Sequence, residues 1–325
     1  MTMKKALVSA LMLAAAAFAV APPAQAAGYP DHPVKIIVPF PAGGITDVVA
    51  RLIANHLAQR LGQNFFIEDI AGAGGNIGMG NVARAPGDGY TILFASSSIV
   101  VNPSLYKKVP FDVLKDFIPV TKAGATPNAW LVNNEFPAKT MQDLVSLMKA
   151  SPGKYSVASP GTGTTPSLSI EMLKQDLGVD FVTVPFTGGA PLNTSLLGGF
   201  TPIANSAFGN VAPLILQGKV RTLAIASKQR LEALPDVPTL DEVGIKNEEA
   251  ETMTGVFVPA GTPAAVVDLL QKNIAEIVRL PDVKEKLLSF GIIPDGDSSA
   301  DFTEYVKDEI AKWKRVIEVG KIEKI

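Results

Sequence analysis

The stretch at residues 38–47, VPFPAGGITD, constrains the fold most strongly, because it joins two different hydrophobic patterns. Residues 34–38, VKIIV, carry the β-branched side chains that are typical of a strand. From Ile45 to Leu61 the apolar residues instead recur at helical spacing, and Gly62 ends that pattern. A strand that leads through a loop rich in Gly and Pro directly into a helix is the building unit of an α/β fold.

The same order of strand, loop and helix repeats along the chain. The patterns predict strands at residues 34–38, 64–68, 90–95, 129–132, 155–158, 181–184, 201–204 and 221–226. They predict helices at residues 45–61, 140–150, 166–177, 191–197, 263–280, 282–290 and 299–318, and a short helix that ends near Pro86. This alternation favours an α/β fold with a mainly parallel sheet, and 325 residues suffice for one large domain or two ordinary ones.

The first 26 residues have the composition of a secretory signal peptide. Lys4 and Lys5 precede an apolar run at residues 6–20, and Ala24-Gln25-Ala26 is a cleavage signal of the A-x-A type. The apolar run is too short for a comfortable membrane span, so we interpret residues 1–26 as a signal peptide that is cleaved after Ala26. We therefore expect an exported protein.

The composition excludes several classes of function. The chain has no Cys, so it has neither disulfides nor thiolate zinc sites nor a cysteine nucleophile. Its 29 Lys and Arg residues are balanced by 31 Asp and Glu residues, and it has no basic run. We therefore expect no nucleic acid among its partners.

Three loops that follow strands share one chemical character: VPFPAGGITD at 38–47, ASPGTGTTP at 158–166 and VPFTGGAP at 184–191. Each combines Gly, Pro and hydroxyl residues just before a helix. Helix N-termini present unpaired N–H groups, and glycine lets the backbone approach a ligand closely. Converging loops of this kind would bind an anion such as a carboxylate without Arg or Lys. The alternative is that each loop is only a turn with a helix cap.

Other motifs indicate neither a cofactor nor a metal. GAGGNIG at 72–78 matches a dinucleotide fingerprint only loosely, so a structural Gly-rich turn is favoured. His32 and His56 have no partner in any catalytic or metal-binding pattern. The acidic run at 248–251 is typical of a solvated loop. Asp47 is interpreted as a helix cap, with contact to a ligand amino group as the alternative.

In the order in which they occur, several stretches resemble the solute receptors of the tripartite tricarboxylate transporter family, also called Bug receptors. They are YPDHPVKIIVPFPAGGITDVVAR, EDIAGAGGNIG, PGDGYTILFASSSIVVNPSLYKK, ASPGTGTTPS, VPFTGGAPLNTSLLGG, QGKVRTLAIAS and LPDVPTLDEVG. The resemblance covers nearly all of the mature chain. It implies a periplasmic, two-domain binding protein of type II (a Venus flytrap) with crossing hinge strands, no enzymatic activity, and no cofactor or metal.

The resemblance also implies where the domains and partners lie. Domain 1 would comprise residues 27–123 and 251–325, and domain 2 residues 124–250. A monomer would capture a di- or tricarboxylate or an aromatic acid in the cleft and deliver it to a membrane permease. A sensor of the same fold that signals to a membrane kinase is the alternative. An exported hydrolase that uses Ser159 or Ser97 is a third hypothesis, for which no base is apparent.

By position, the resemblance assigns ligand contacts to loops of both domains. The predicted ligand-binding residues are Phe40, Pro41, Ala42, Gly43, Gly44, Asp47, Ser97, Ser98, Gly161, Thr162, Gly163, Thr164, Phe186, Thr187, Gly188, Ser206 and Ala207. The chain departs from many relatives at residues 205–207, where Asn-Ser-Ala replaces Phe-Asp-Asn. The missing acid favours a plain organic acid over an amino acid. Phe186 replaces a common Tyr, and Phe40, Phe186 and Phe208 could form an apolar wall or belong to the core.

Overall fold

The computed structural model describes residues 28–246 and 250–325. The predicted signal peptide, together with Glu248 and Glu249 of the acidic run, lies outside the described residues. Among the described helices, none combines the length and the hydropathy needed to cross a bilayer.

The first part of the chain alternates strands and helices and ends in a long strand. Its elements are β1 (Val34–Val38), α1 (Ile45–Leu61), β2 (Phe65–Asp69), a 3-10 turn (Ala73–Gly75), α2 (Asn76–Ala83), β3 (Thr91–Ser96), α3 (Ser98–Leu105), α4 (Val113–Asp116) and β4 (Phe117–Asn133). Gly62 ends α1 in the left-handed conformation, as the sequence predicts for a helix C-terminus.

The middle of the chain repeats this alternation. Its elements are α5 (Met141–Ala150), β5 (Ser156–Ser159), α6 (Thr165–Leu177), β6 (Val182–Pro185), α7 (Gly189–Leu197), β7 (Ile203–Ala207), α8 (Phe208–Leu216) and β8 (Val220–Ile225). The capping box that the sequence predicts at the start of α5 is confirmed, because Thr140 and Asp143 bond each other's backbone N–H groups.

The last part returns to the first and is mostly helical. Its elements are β9 (Glu251–Pro259), α9 (Ala264–Ile277), α10 (Pro281–Ser289), β10 (Ile293–Pro294) and α11 (Ser299–Val319). Ser298 caps α11 by accepting a hydrogen bond from the Asp301 N–H.

The strands form two lobes that share the hinge strands, by which we mean β4 and β9. The strand order is β2-β1-β3-β9-β4-β7-β5-β6, and β8 and β10 also pair with β4. Lobe 1 contains β1, β2, β3 and β10, and lobe 2 contains β5 to β8, each with the helices that follow its strands. The chain crosses from lobe 1 to lobe 2 along β4 and returns along β9.

The sheet is mixed rather than mainly parallel. β1 pairs in parallel with β2 and β3, and β5 pairs in parallel with β6 and β7. The hinge strands, however, are antiparallel to each other and to their neighbours β3, β7, β8 and β10. The predicted domain boundaries fall inside β4 and at the first residue of β9, and they remain a prediction.

The buried core is not fully divided between the two lobes, because one cluster is shared by both. One buried cluster joins Leu105 and Trp313 to Trp130 and Leu173, so it extends across both lobes. α11 contributes to it from lobe 1, and Gln175 of α6 donates a hydrogen bond to the Val316 carbonyl at 3.1 Å. The C-terminal helix therefore packs along the side of the molecule against both lobes.

Candidate functional site

A cavity of about 460 Å³ lies between the lobes. Its walls come from the carboxyl ends of strands in both lobes and from the hinge strands between them, which is where open α/β sheets bind ligands. The lining residues are Phe40, Ile45, Thr46, Gly74, Ser96, Ser97, Ser98, Val101, Asn102, Leu105, Tyr106, Ser289, Phe290 and Ile292 of lobe 1, Thr126, Thr252 and Thr254 of the hinge strands, and Pro160, Thr162, Gly163, Thr164, Thr165, Pro166, Gly188, Gly189, Ala207, Gly209 and Asn210 of lobe 2.

Five helices begin at this cavity: α1 and α3 from lobe 1, and α6, α7 and α8 from lobe 2. Each contributes its N-cap residue or a residue of its first turn to the lining. In the described structure the N-cap residues of α1, α3, α7 and α8 make no side-chain cap hydrogen bond. Of these five helices, α6 alone has such a bond, from Thr164. The first turns of four helices therefore point their partial positive charge at one space without an N-cap side chain to neutralise it.

The lining has no formal charge. Among the residues that the structure describes, no Asp, Glu, Lys, Arg or His side chain lines the cavity. Apolar side chains, among them Phe40, Val101, Leu105, Phe290 and Ile292, make up much of the wall. Attraction for an anion must therefore come from peptide dipoles and hydroxyl groups.

Asp47 supports the first loop instead of facing the cavity. Its side chain is 3% exposed, accepts a hydrogen bond from the Gly43 N–H at 2.7 Å and pairs with Arg51 at 2.6 Å. Arg51 also reaches Asp69 at 2.8 Å, and burial, the largest effect, raises the pKa of the Asp69 carboxyl. The cap interpretation of Asp47 is therefore wrong, because Gly44 is the N-cap of α1 and Asp47 bonds the Gly43 N–H in the loop before the helix. Its alternative role toward a ligand amino group finds no support in these contacts.

The remaining predicted residues of lobe 1 divide between the lining and its support. Phe40, Ser97 and Ser98 line the cavity, whereas residues 41–44 form the exposed loop beside it. The Ser97 hydroxyl is already used, because it accepts from the Met253 N–H at 2.8 Å and lies 3.4 Å from the Glu251 carbonyl. Ser97 therefore ties the start of α3 to hinge strand β9.

In lobe 2, the structure brings Thr162, Gly163, Thr164, Gly188 and Ala207 to the cavity. The other predicted residues of this lobe are absent from the lining: Gly161, Phe186, Thr187 and Ser206. Ser206 is fully buried, because successive residues of β7 point to opposite faces and Ala207 takes the cavity side. Phe208 lies outside the lining as well, so of the three suggested aromatic walls only Phe40 is present.

The sequence did not indicate two parts of the wall. α3 contributes Val101, Asn102, Leu105 and Tyr106, and the hinge strands contribute three threonines. The Thr126 hydroxyl accepts from the Gly209 N–H of lobe 2 at 3.2 Å and donates to the Gly291 carbonyl of lobe 1 at 2.6 Å. The alternation of Thr252 and Thr254 was the available signal, since residues two apart in a strand share one face.

The Gly-rich motif at 72–78 builds part of the same wall. Gly74 has a φ of 62°, and a Cβ there would lie 2.5 Å from the Tyr106 hydroxyl oxygen, so any other residue would be strained and would displace the Tyr106 side chain. The Asn102 side-chain amide donates to the Gly74 carbonyl at 2.9 Å and to Asn76 Oδ1 at 2.8 Å. The interpretation of the motif as a structural turn accounts for these contacts.

A charged groove lies on the other face of the hinge strands; we call it the back groove. In it, Lys122 Nζ contacts Glu251 at 3.1 Å and Asp295 at 3.0 Å, and it lies 4.3 Å from the centre of the Tyr305 ring. The Tyr305 hydroxyl donates to Glu251 at 2.9 Å. Burial alone would lower the pKa of Lys122, but the two carboxylates outweigh it and the pKa is raised.

This cluster corrects the interpretation of the acidic run. Glu251 begins hinge strand β9 and pairs with Lys122, and Ala250 is buried, so neither belongs to a solvated loop. The physical reason is that the Glu251 carboxylate contacts the Lys122 ammonium group and accepts a hydrogen bond from the Tyr305 hydroxyl in the back groove.

The arrangement offers no catalytic constellation in the described parts of the chain. Neither His32 nor His56 lines the cavity, and Ser159, which the hydrolase hypothesis requires, is fully buried. No group of three metal-ligating side chains occurs within residues 28–246 and 250–325.

Comparison with known proteins shows which protein family the chain is similar to. The sequence model described as "Tripartite tricarboxylate transporter family receptor" matches residues 49–322. The chain is 34% identical to protein BugT of Bordetella pertussis, over 92% of this chain and 92% of that protein.

Solved structures agree with the fold. Periplasmic binding protein BugD has a TM-score of 0.75 with 34% identity, and the match covers 91% of this chain and 100% of that one. A Rhodopseudomonas palustris protein with adipate has a TM-score of 0.78 with 32% identity, covering 91% and 100%. MatC from the same organism, with bound malate, has a TM-score of 0.72 with 31% identity, covering 89% and 100%.

Proposed function

Because the chain belongs to the tripartite tricarboxylate transporter receptor family, we propose that it captures an organic carboxylate in the interlobe cavity and delivers it to a membrane permease. As a member of this family it is a binding receptor and not an enzyme. Receptors of this family are periplasmic, and the signal peptide that the sequence predicts at residues 1–26 is consistent with export.

The observation that carries the proposal is the convergence of helix N-termini from both lobes on an uncharged cavity. α1 and α3 approach from lobe 1, and α7 and α8 from lobe 2, without an N-cap side-chain bond. An anion held between them interacts favourably with both lobes at once. Its binding therefore favours the closed arrangement over an open one, which is how a ligand drives hinge closure.

The lining also limits the kind of acid. No described carboxylate faces the cavity, so an ammonium group on the ligand would find no ionic partner. Apolar side chains between the two sets of helix N-termini suit a hydrocarbon segment. We infer a plain di- or tricarboxylate or an aromatic acid rather than an amino acid. The adipate and malate bound to the two relatives are of the same chemical class.

A thermal-shift screen of the mature chain from Ala27 tests the ligand class. The panel contains citrate, tricarballylate, adipate, malate, glutamate, benzoate and terephthalate. A ligand at about a hundred times its Kd stabilises the folded state by about 2.7 kcal/mol, which shifts the midpoint by several degrees. A response to one of the acids without an amino group supports the proposal. No response to any acid, or a response to glutamate alone, contradicts it.

The Ile45 N–H is the sharpest single probe of the first loop. Ile45 is the first helical residue of α1 and lines the cavity, and Gly44 before it is extended with φ −70° and ψ 162°. Proline is favoured at a first helical position and after an extended residue, so Ile45→Pro removes the donor and keeps the helix. Gly43 is unsuitable, because its N–H donates to Asp47 and its φ of 78° is closed to proline.

Ile45→Ala is the matched control, because it removes the same apolar side chain and keeps the N–H. A hydrogen bond to a charged group contributes about 1.5–3 kcal/mol, so Ile45→Pro is expected to weaken acid binding by about 10- to 100-fold relative to Ile45→Ala. Titration by calorimetry measures both variants. Equal affinities would remove the α1 N-terminus from the site.

A further inference from the structure

Leu105 and Gly163 touch across the cleft. Leu105 is the last residue of α3, which follows β3 of lobe 1, and Gly163 lies in the loop that follows β5 of lobe 2. A Cβ placed on Gly163 would lie 2.1 Å from Leu105 Cδ2 and 3.5 Å from its Cγ. A distance of 2.1 Å between carbon atoms is far inside van der Waals contact, so the Leu105 methyl group occupies the space that a side chain at residue 163 would need.

Leu105 is held firmly in this position. Its side chain is only 2% exposed and belongs to the buried cluster that extends across both lobes. Its carbonyl accepts a hydrogen bond from the Ile325 N–H at 3.0 Å, and the Lys107 N–H donates to the Ile325 carbonyl at 2.9 Å. Leu105 therefore cannot withdraw from Gly163 without disturbing packing on its own lobe.

Two features favour glycine at residue 163: the backbone conformation and the contact with Leu105. Its φ is 74°, in the left-handed region, and Leu105 supplies all three atoms nearest to the place of a Cβ. Gly178, at the end of α6 in the same lobe, has a φ of 59° and nothing within 4 Å of the place of a Cβ. The two glycines share the backbone requirement and differ in the contact.

We propose that Leu105 and Gly163 form a steric latch: the lobes close fully only because the Leu105 side chain fits against a residue without a side chain. Gly163 then determines whether the receptor closes, rather than serving only as an N–H donor to the ligand. This inference rests on the proposed function, in which closure retains the ligand, but its first test needs no ligand.

Disulfide trapping is that test. The chain has no Cys, so no native thiol can compete with the two introduced cysteines. The sulfur of a cysteine at residue 105 takes the place of Leu105 Cγ, 3.5 Å from the Cβ position of residue 163. A sulfur at that distance from the partner's Cβ needs only a small adjustment to form an S–S bond of about 2.05 Å. Leu105→Cys/Gly163→Cys is oxidised without ligand and resolved by non-reducing electrophoresis, with Leu105→Cys/Gly178→Cys as the matched control.

The latch predicts rapid formation of an intrachain disulfide in the first pair and none in the control. Two free thiols in a folded, oxidised first pair, detected with a thiol reagent, would overturn it. So would equal disulfide formation in both pairs. Unfolding of the reduced variants in urea establishes that each is folded.

A second set of variants addresses the latch without cysteines and uses adipate as the probe. Gly163→Ala is expected to weaken adipate binding by about tenfold or more relative to Gly178→Ala, which corresponds to at least about 1.4 kcal/mol. Adding Leu105→Ala to Gly163→Ala should restore most of the loss. Equal affinities of Gly163→Ala and Gly178→Ala would overturn the latch. If the wild type itself gives no response to adipate, that result bears on the ligand class, and the disulfide pair alone decides the latch.

Discussion

The two faces of the hinge strands line two spaces of opposite chemistry. On one face, Thr126, Thr252 and Thr254 line the interlobe cavity, which has no charged side chain among its described residues. On the other face, Lys122 and Glu251 line the back groove, together with Asp295, Tyr305 and Glu309. In β9, the consecutive residues Glu251 and Thr252 face opposite sides by strand alternation. In β4, Lys122 and Thr126 are four residues apart, and an irregularity in the pairing between Lys122 and Gly124 puts them on opposite faces.

The difference shows how the molecule distributes its charges. An ion pair needs partners at fixed distances, and the back groove supplies them around Lys122 within one lobe and the hinge strands. Peptide dipoles at helix ends attract an anion more weakly and over a broader area than a fixed cation does. Fixed charges thus support the frame, while the cavity keeps a weaker attraction, as the proposed release of the ligand to a permease requires.

The largest expected effect comes from removing the cation of the back groove. Lys122→Met leaves Glu251 and Asp295 without their cation. Removing one partner of a buried pair costs about 3–5 kcal/mol, and because these acids are 28% and 37% exposed we expect about 2 kcal/mol. Urea unfolding measures the loss. Lys115→Met removes an ion pair with Asp112 at the surface and should leave the midpoint almost unchanged; equal effects would show that the groove cluster does not stabilise the frame.

A smaller effect follows from pH. Burial raises the pKa of the Glu309 carboxyl above its ordinary value of 4.5, although Lys312 lies beside it and the Trp313 indole donates to it at 2.8 Å. A raised pKa means that the folded state binds the proton more tightly, so this group's contribution is present below pH 4.5 and is lost as the pH rises through the raised pKa.

Glu309→Gln retains an acceptor for Trp313 and cannot titrate. The unfolding free energy of the wild type minus that of Glu309→Gln should therefore fall as the pH rises from below 4.5 toward neutral. Urea unfolding at a series of pH values measures the difference. A difference that is constant, or that grows with pH, contradicts the assignment of a raised pKa.

The smallest expected effect concerns salt and the cavity. Raising the ionic strength from about 0.01 M to 1 M shortens the Debye length from about 30 Å to about 3 Å and screens attraction between charged groups. Because no described charge lines the cavity, the Kd of the bound acid should change by less than about twofold over this range. A steep loss of affinity in a calorimetric titration would reveal a cationic group at the ligand and remove the contrast between the two faces.

Much of the fold follows from local signals in the sequence. The helical spacing of residues 45–61 and the capping box at Thr140 identify α1 and α5 without help from distant residues. β4 is different: the sequence predicts only residues 129–132 of its 17, because Pro119, Gly124 and Pro127 interrupt it and most of it is buried on both faces. α3 and α8 were missed because each contains a proline, Pro103 and Pro213.

The lining of the candidate site also divides into residues that local sequence patterns predict and residues that only tertiary packing brings there. Loops with Gly, Pro and hydroxyl residues mark helix starts, so the sequence pattern brings Phe40, Thr162 and Gly188 to the cavity region, whereas Ser98 follows only from the family resemblance. The threonines of the hinge strands and the wall from α3 reach the cavity only through tertiary packing. No local pattern distinguishes Leu105 from an ordinary core leucine, because its partner Gly163 belongs to the other lobe.

The path of the chain through the hinge strands has a consequence for the order of folding after export. The strands of lobe 2 between β5 and β8 are contiguous in sequence, whereas β3 of lobe 1 pairs with β9, as Phe94 does with Val256. Local contacts form faster than contacts between distant segments. Lobe 2 is therefore expected to fold while β3 of lobe 1 still waits for the returning β9. A chaperone that binds the emerging protein would have to protect the open edge of β3 until β9 is available.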